Sequence, residues 1–214
     1  KLQVISATLG KEALNTMLIA GIIAFFVICI IIIVRYRLPG FISCIALVGQ
    51  VGGMIACVSG FFGGTNSFTL TIPGIAGIIL SVGMGIDANV ITSERITEEL
   101  RKGKGVVTAI DSGFSNALSA IIDGNVTNVI VSVVLMGCFG PSDSFFAKVF
   151  SPIMHLFGAS VSGSVYSFGY TLLMGVIFNF IMGVFASRVM LKSLSNFKCM
   201  RKPWLYGGVK NDEN

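Results

Sequence analysis

Two aspartates stand inside long apolar runs of this chain, Asp87 in "LTIPGIAGIILSVGMGIDANVIT" and Asp123 in "FSNALSAIIDGNVTNVIVSVV". Asp87 is the one ionisable side chain between Phe68 and Thr92. A charge at the centre of a membrane helix costs about 2.5–3.5 kcal/mol even on the forgiving insertion scale, so a carboxyl in such a place calls for a use. A carboxylic acid that is neutral in hydrocarbon and ionised when hydrated can take up and release a proton. Asp87 and Asp123 therefore read as a proton relay, with Asp87 the stronger candidate because its run holds no other charge. At 1.5 Å per residue, Asp87 lies roughly 12 Å inward from Arg95 and Asp123 roughly 13 Å inward from Phe114. The two acids thus sit at similar depth on consecutive, oppositely directed helices.

Polar and small residues accompany them. Asn116, Ser119, Asp123 and Thr127 recur at spacings of three and four, which puts them on one helix face. Asn125 points to another face, and Asn89 is close to Asp87 without being in line with it. Gly77, Ser81 and Gly85 recur every four residues, as do Gly49 and Gly53, with Ala56 three further on. Small faces of this kind let helix backbones approach closely in lipid. Glycine within a helix also weakens it and permits local adjustment, so Gly83 and Gly85 join the supporting residues. The plainer alternative is that both acids are structural, satisfied by hydroxyls and amides across a helix contact.

The elements that position these residues follow from composition. The chain is 54% hydrophobic and 12% charged, with a mean hydropathy of +0.87. A soluble domain carries about 25% charged residues. The expected class is all-α, a polytopic transmembrane bundle; unbroken runs such as "MLIAGIIAFFVICIIIIV" exclude a β-barrel, whose strands alternate. Spans need about 20 apolar residues, and segments near 14–34, 41–62, 70–92, 114–139 and 165–190 qualify, leaving 192–214 as a tail. The connections alternate in charge. Arg35, Arg37, Arg95, Arg101, Lys102, Lys104, Arg188, Lys192, Lys198, Arg201, Lys202 and Lys210 fall on one side; Lys1, Lys11 and Lys148 fall on the other. By the positive-inside rule the basic loops and the C-terminus are cytoplasmic. The net charge of +5 is then an orientation signal, and a nucleic-acid partner is not expected.

Other features carry less chemistry. The five cysteines, Cys29, Cys44, Cys57, Cys138 and Cys199, lack metal-ligand spacing, and four fall in apolar stretches as small hydrophobes. His155, the single histidine, reads as a loop residue. "SERITEELRKGKG" pairs charges at helical spacing, such as Glu98 with Arg101 and Lys102, and reads as a helix leaving the third span for water. "KCMRKPWLYGG" reads as an interfacial anchor, with Trp204 and Tyr206 at headgroup level and a basic cluster facing anionic membrane lipid. "FFAKVFSPIMHLFG", within the long outer loop 140–164, is compatible with a short amphipathic helix or an ordered partner contact. There is no P-loop, nucleophile elbow or metal set, so neither an enzymatic site nor a metal site is expected. The start at Lys1, without Met or leader, reads as a piece of a longer protein.

Five blocks, in order, carry a resemblance: "LTIPGIAG", "GMGIDANV", "ERITEEL", "AIDSGF" and "IIDGNVT", with "YRLPG" after the first span. Together they resemble the membrane region of the SecD protein-export subunits, of the SecD/SecF family in the resistance–nodulation–division superfamily, from about Ser6 to Leu191. The resemblance implies half of a membrane domain of that superfamily, in the bacterial cytoplasmic membrane. Implied partners are SecF, the SecYEG channel and the secreted polypeptide, the last through an outer soluble domain that this chain lacks. It implies use of the proton gradient in place of a cofactor. Asp87 matches the aspartate implicated in proton passage, and Asp123, Asn125 and Thr127 match the polar positions of the later block. A proton-driven small-molecule or lipid exporter of the same superfamily is the alternative, and a non-transporting scaffold a second one.

Overall fold

The computed structural model describes residues 7–59, 71–139, 163–197, 200 and 203–207. Every regular element among them is helical: α1 (Ala7–Tyr36), α2 (Leu38–Val58), α3 (Ile72–Arg101), α4 (Val106–Phe139), α5 (Gly163–Phe178), a π-helical stretch (Asn179–Ala186), α6 (Ser187–Ser195) and a 3-10 turn (Pro203–Tyr206). The π stretch joins α5 to α6 without a break, giving five helices long and apolar enough to cross a membrane. This is the all-α class that composition predicts.

α3, α4 and α5 pack on one another at the centre, α2 lies against α3 and the π stretch, and α1 hangs on the outside, chiefly against α2. The sequence explains the last placement. α1 is apolar on every side, and Ile22, Phe26, Ile30 and Val34 along it stay exposed, as suits a helix ringed by lipid.

α3 has 30 residues and α4 has 34. At the α-helical rise these are about 45 Å and about 51 Å long. A hydrocarbon core is about 30 Å thick, so both helices run past it at the end where the basic residues gather. α3 opens cleanly: the Thr71 hydroxyl accepts from the Gly74 N–H at 3.3 Å, and Pro73 sits in the first turn. It closes on Gly103, whose φ of +83° suits glycine. There the Gly103 N–H reaches the Leu100 carbonyl (3.0 Å) and the Lys104 N–H the Glu99 carbonyl (3.3 Å), a Schellman closure that satisfies two of the terminal carbonyls.

The charged stretch from Glu94 to Gly113 is therefore mostly helix, with only a short turn at 102–105. Only part of it faces outward: Arg95, Glu98 and residues 101–105 are exposed, while its other face is covered. Ile96 and Leu100 of α3 are buried with Val106, Ile110 and Phe114 of α4, Leu191 of α6 and Tyr206. The helix period explains this: Ile96 and Leu100 are four apart and fall on one face, and that face builds a core beyond the apolar windows. The pairing expected within the stretch also differs. Glu98 bonds Arg95 at 2.8 Å, while Lys102 (2.6 Å) and Lys104 hold Glu99.

The C-terminal turn departs from the interfacial reading too. Trp204 is half exposed, but Tyr206 is only 1% exposed and belongs to the same core. Its backbone carbonyl accepts from Thr97 Oγ1 at 3.2 Å. Arg37, between α1 and α2, donates to the Trp204 carbonyl at 2.6 Å and lies 3.9 Å over its ring. The expected outer-loop helix, His155 and Cys199 lie outside the described residues.

Candidate functional site

α3 and α4 are in register at the basic end, where Gly113 of α4 meets Ile96 of α3. A Cβ on Gly113 would come within 2.8 Å of the Ile96 backbone nitrogen. Counting away from that contact, Asp87 is nine residues along α3 and Asp123 ten along α4, or about 14 Å and about 15 Å. Ala88, buried together with Ala117 and Ile121 of α4, fits the same register. The two carboxyls therefore stand at one level on adjacent, antiparallel helices.

Both carboxyls are exposed on the chain's own surface. Among the described residues, neither has a hydrogen-bond or ion-pair partner. Within this chain, no described hydroxyl or amide reaches either of them across a helix contact. Ser119 and Thr127 share Asp123's exposed side of α4. Asn116, also exposed, donates from Nδ2 to Glu99 Oε1 at 3.4 Å and so belongs to the ion cluster at the basic end. Gly83, one turn from Asp87, has nothing within 4 Å of where a Cβ would lie. Gly83 and Asp87 thus share an uncovered strip of α3.

The other polar candidates face inward. Asn125 is buried, with Nδ2 on the Ile121 carbonyl at 2.7 Å. Asn89 is buried and bonds the Gly85 carbonyl at 2.8 Å, while its Oδ1 accepts from Ser187 Oγ at 3.2 Å. Gly77 and Gly85 are packing positions. Gly77 faces Thr171 and Phe168 of α5, and Gly85 faces Gln50 and Leu47 of α2. α3 itself is unbroken around Asp87, and the local irregularity falls in the fifth span instead, at the π stretch.

Behind the Asp87 strip runs a buried polar seam that the sequence reading missed. Gln50 of α2 is 0% exposed, and its Nε2 donates to the carbonyls of Ser81 in α3 (2.9 Å) and Gly175 in α5 (3.4 Å). Thr171, Asn179 and Ser187 continue the seam along the fifth span, each buried. The signal was available: Gln50 in "CIALVGQVGGMIACV" and Asn179 in "LLMGVIFNFIMGVFA" are single amides in apolar runs. In lipid such groups must find partners within the protein. Their lack of charge let them pass as helix filler.

At the basic end, charge pairs tie the helices together. Tyr36 Oη donates to Glu94 Oε1 at 2.9 Å, with Arg35 on the same oxygen at 3.2 Å. Asp111 of α4 receives Arg188 (3.1 Å) and Lys192 (2.9 Å) of α6. Asp87 and Asp123 lie well inward from all of these.

The chain matches the family model described as "Protein export membrane protein SecD/SecF, C-terminal" over residues 1–196. It belongs to the SecD/SecF family. That match covers every spanning helix. Curated relatives include the protein translocase subunit SecD of Leptotrichia buccalis, 38% identical over 98% of this chain and 45% of that protein. SecD of Aquifex aeolicus is 35% identical over 93% of this chain and 34% of its own length. SecDF of Bacillus subtilis is 36% identical over 94% and 24%. A crystal structure of SecDF in a super-membrane-facing form is similar with a TM-score of 0.70 and 26% identity, over 87% of this chain and 22% of that one. The chain thus spans less than half the length of these SecD and SecDF proteins and corresponds to a membrane part of them.

Proposed function

We propose that this chain is the membrane half-domain of a SecD-type accessory of the Sec translocase, and that it couples proton movement to protein secretion across the cytoplasmic membrane. The observation that carries the reading is Asp87: a carboxyl in the middle of an apolar span, exposed on this chain and without a partner among the described residues. A carboxyl of that kind facing lipid tails would be costly. Set against a second half-domain, it gains neighbours and water. The open strip of Asp87 and Gly83 is the surface we assign to the SecF half, with Asp123 at the same level as a second acid on the path.

The proton balance is simple. The Asp87 carboxylate accepts a proton from the outer side and becomes neutral. It then releases that proton toward the cytoplasm and is charged again. A proton crossing 100 mV delivers about 2.3 kcal/mol, which shifts a two-state equilibrium by about fiftyfold. That bias is passed to an outer soluble domain that handles the secreted polypeptide beyond the SecYEG channel. The basic ends, with Arg35, Arg95, Arg101 and Lys192, are cytoplasmic in this reading.

The test uses the full-length subunit with its SecF partner in a strain lacking the native pair. Asp87→Asn should insert normally and lose gradient-dependent stimulation of secretion, and Asp87→Glu should retain part of it. Full stimulation by Asp87→Asn would remove the relay.

A further inference from the structure

Asn179 is fully buried, yet among the described residues neither its Oδ1 nor its Nδ2 has a hydrogen-bond partner. It opens the π-helical stretch of the fifth span. Four residues on, a Cβ at Gly183 would lie 2.5 Å from Asn179 Oδ1 and 3.6 Å from Asn89 Nδ2. Two amide groups from different helices therefore converge over one glycine. At the far end of the stretch, Ser187 Oγ contacts Asn89 Oδ1 and the Met182 carbonyl, both at 3.2 Å. Asn89 is thus gripped from the fifth span, two residues along α3 from Asp87. At 100° per residue the two side chains point about 200° apart. Whatever holds Asn89 inward holds Asp87 outward.

We propose that Asn179 and Ser187 are positioning residues for Asp87, and that Asn179 is the second seat for Asn89. In the structure described, Asn89 Nδ2 rests on the Gly85 carbonyl and its Oδ1 on Ser187. In the alternative, Asn89 Nδ2 moves across Gly183 to Asn179 Oδ1. A π stretch carries an extra residue relative to an α-helix of the same rise. Returning it to α geometry turns the flanking segments by about 100° relative to each other, which carries Ser187 off Asn89. The fifth span then has two settings of its grip on α3, and the orphaned amide is what the second setting needs. An orphaned buried amide is otherwise unfavourable, and an apolar residue of similar shape would serve packing alone.

This inference rests on the relay reading of Asp87, and the experiment separates the two. In the full-length subunit with its partner, Asn179→Leu and Ser187→Ala are compared with Asp87→Asn for gradient-dependent secretion and thermal unfolding in detergent. The infrared band of the protonated Asp87 carboxyl, assigned by its loss in Asp87→Asn, is the third readout. Asn179→Leu should unfold no earlier than the parent, lower the stimulation by about three- to thirtyfold, and displace the band. Ser187→Ala should likewise lower the stimulation and displace the band, with Ser187→Thr restoring both. If Asp87→Asn abolishes stimulation while Asn179→Leu and Ser187→Ala keep it in full with the band unmoved, the positioning role is wrong and the relay stands. If Asp87→Asn itself is fully active, the relay falls and the positioning role falls with it.

Discussion

At the residue scale, the burial pattern of the polar side chains separates two kinds of work. Gln50, Ser81, Asn89, Thr171 and Asn179 are buried and neutral; of these, Gln50 and Asn89 tie helices together without carrying charge. Asp87 and Asp123 are ionisable and left uncovered by their own chain. Gln50 illustrates the first kind, because one amide nitrogen reaches carbonyls on two other helices. Interhelical hydrogen bonds in membrane proteins average about 0.6 kcal/mol and reach about 1.7. Truncation at a fully buried site adds a cavity cost. Gln50→Ala should therefore lower stability by about 2–3 kcal/mol in a reversible unfolding titration in mixed micelles, and Gln50→Met should recover part of it by refilling the space.

At the scale of elements, the C-terminal turn acts as a strap across the basic ends of the helices. Trp204 is capped by Arg37 from the α1–α2 turn, and the Tyr206 carbonyl is held by Thr97 of α3. The Tyr206 ring fills the core beneath, but its hydroxyl is buried without a partner among the described residues. Burial raises the Tyr206 pKa above its ordinary value, so the phenol enters the core neutral. Tyr206→Phe should be neutral or slightly stabilising, because it removes an unsatisfied oxygen. Tyr206→Ala should cost about 3–5 kcal/mol, as for other large buried rings. Both are read from unfolding midpoints of the purified membrane protein. The sequence pointed Trp204 and Tyr206 to headgroup level, which the burial of Tyr206 overturns. It did not show which surface receives them, because that surface is built from Ile42, Ile96, Val106 and Leu191, residues distant from one another in the chain.

Legibility follows the same line elsewhere in the bundle. The helices could be read because twenty apolar residues in a row leave few options in lipid. The depth of Asp87 and Asp123 could be read because helical rise is fixed. That Asn89 and Asn125 lie off the faces of the two acids could be read from their angular offset. The partner of Asn89 could not, because Ser187 lies 98 residues away. Nor could the π stretch, which packs against α2 and α3 and carries no local signal in "NFIMGVFA" that marks it.

At the scale of the whole molecule, the bundle is polarised. Among the described residues the ion pairs and the strap gather at one end. Asp87 and Asp123, without partners among those residues, lie about 14–15 Å inward from the contact of Gly113 with Ile96. In the reading proposed above, the SecF half lies along the strip of Asp87 and Gly83, away from that end. Arg101, exposed at the end of α3, reports the orientation. In a cysteine-free background, Arg101→Cys should react with a membrane-impermeant maleimide in inverted vesicles and stay protected in intact cells. The opposite pattern would place the basic end outside.

The central claim, that Asp87 carries protons at the seam between two half-domains, is tested most directly by proton flux. Vesicles holding the full-length subunit together with its SecF partner are given an imposed proton gradient, and internal pH is followed with a trapped dye. The parent pair should conduct protons, and the Asp87→Asn pair at the same protein content should fall to the level of protein-free vesicles. Equal flux from both pairs would contradict the account.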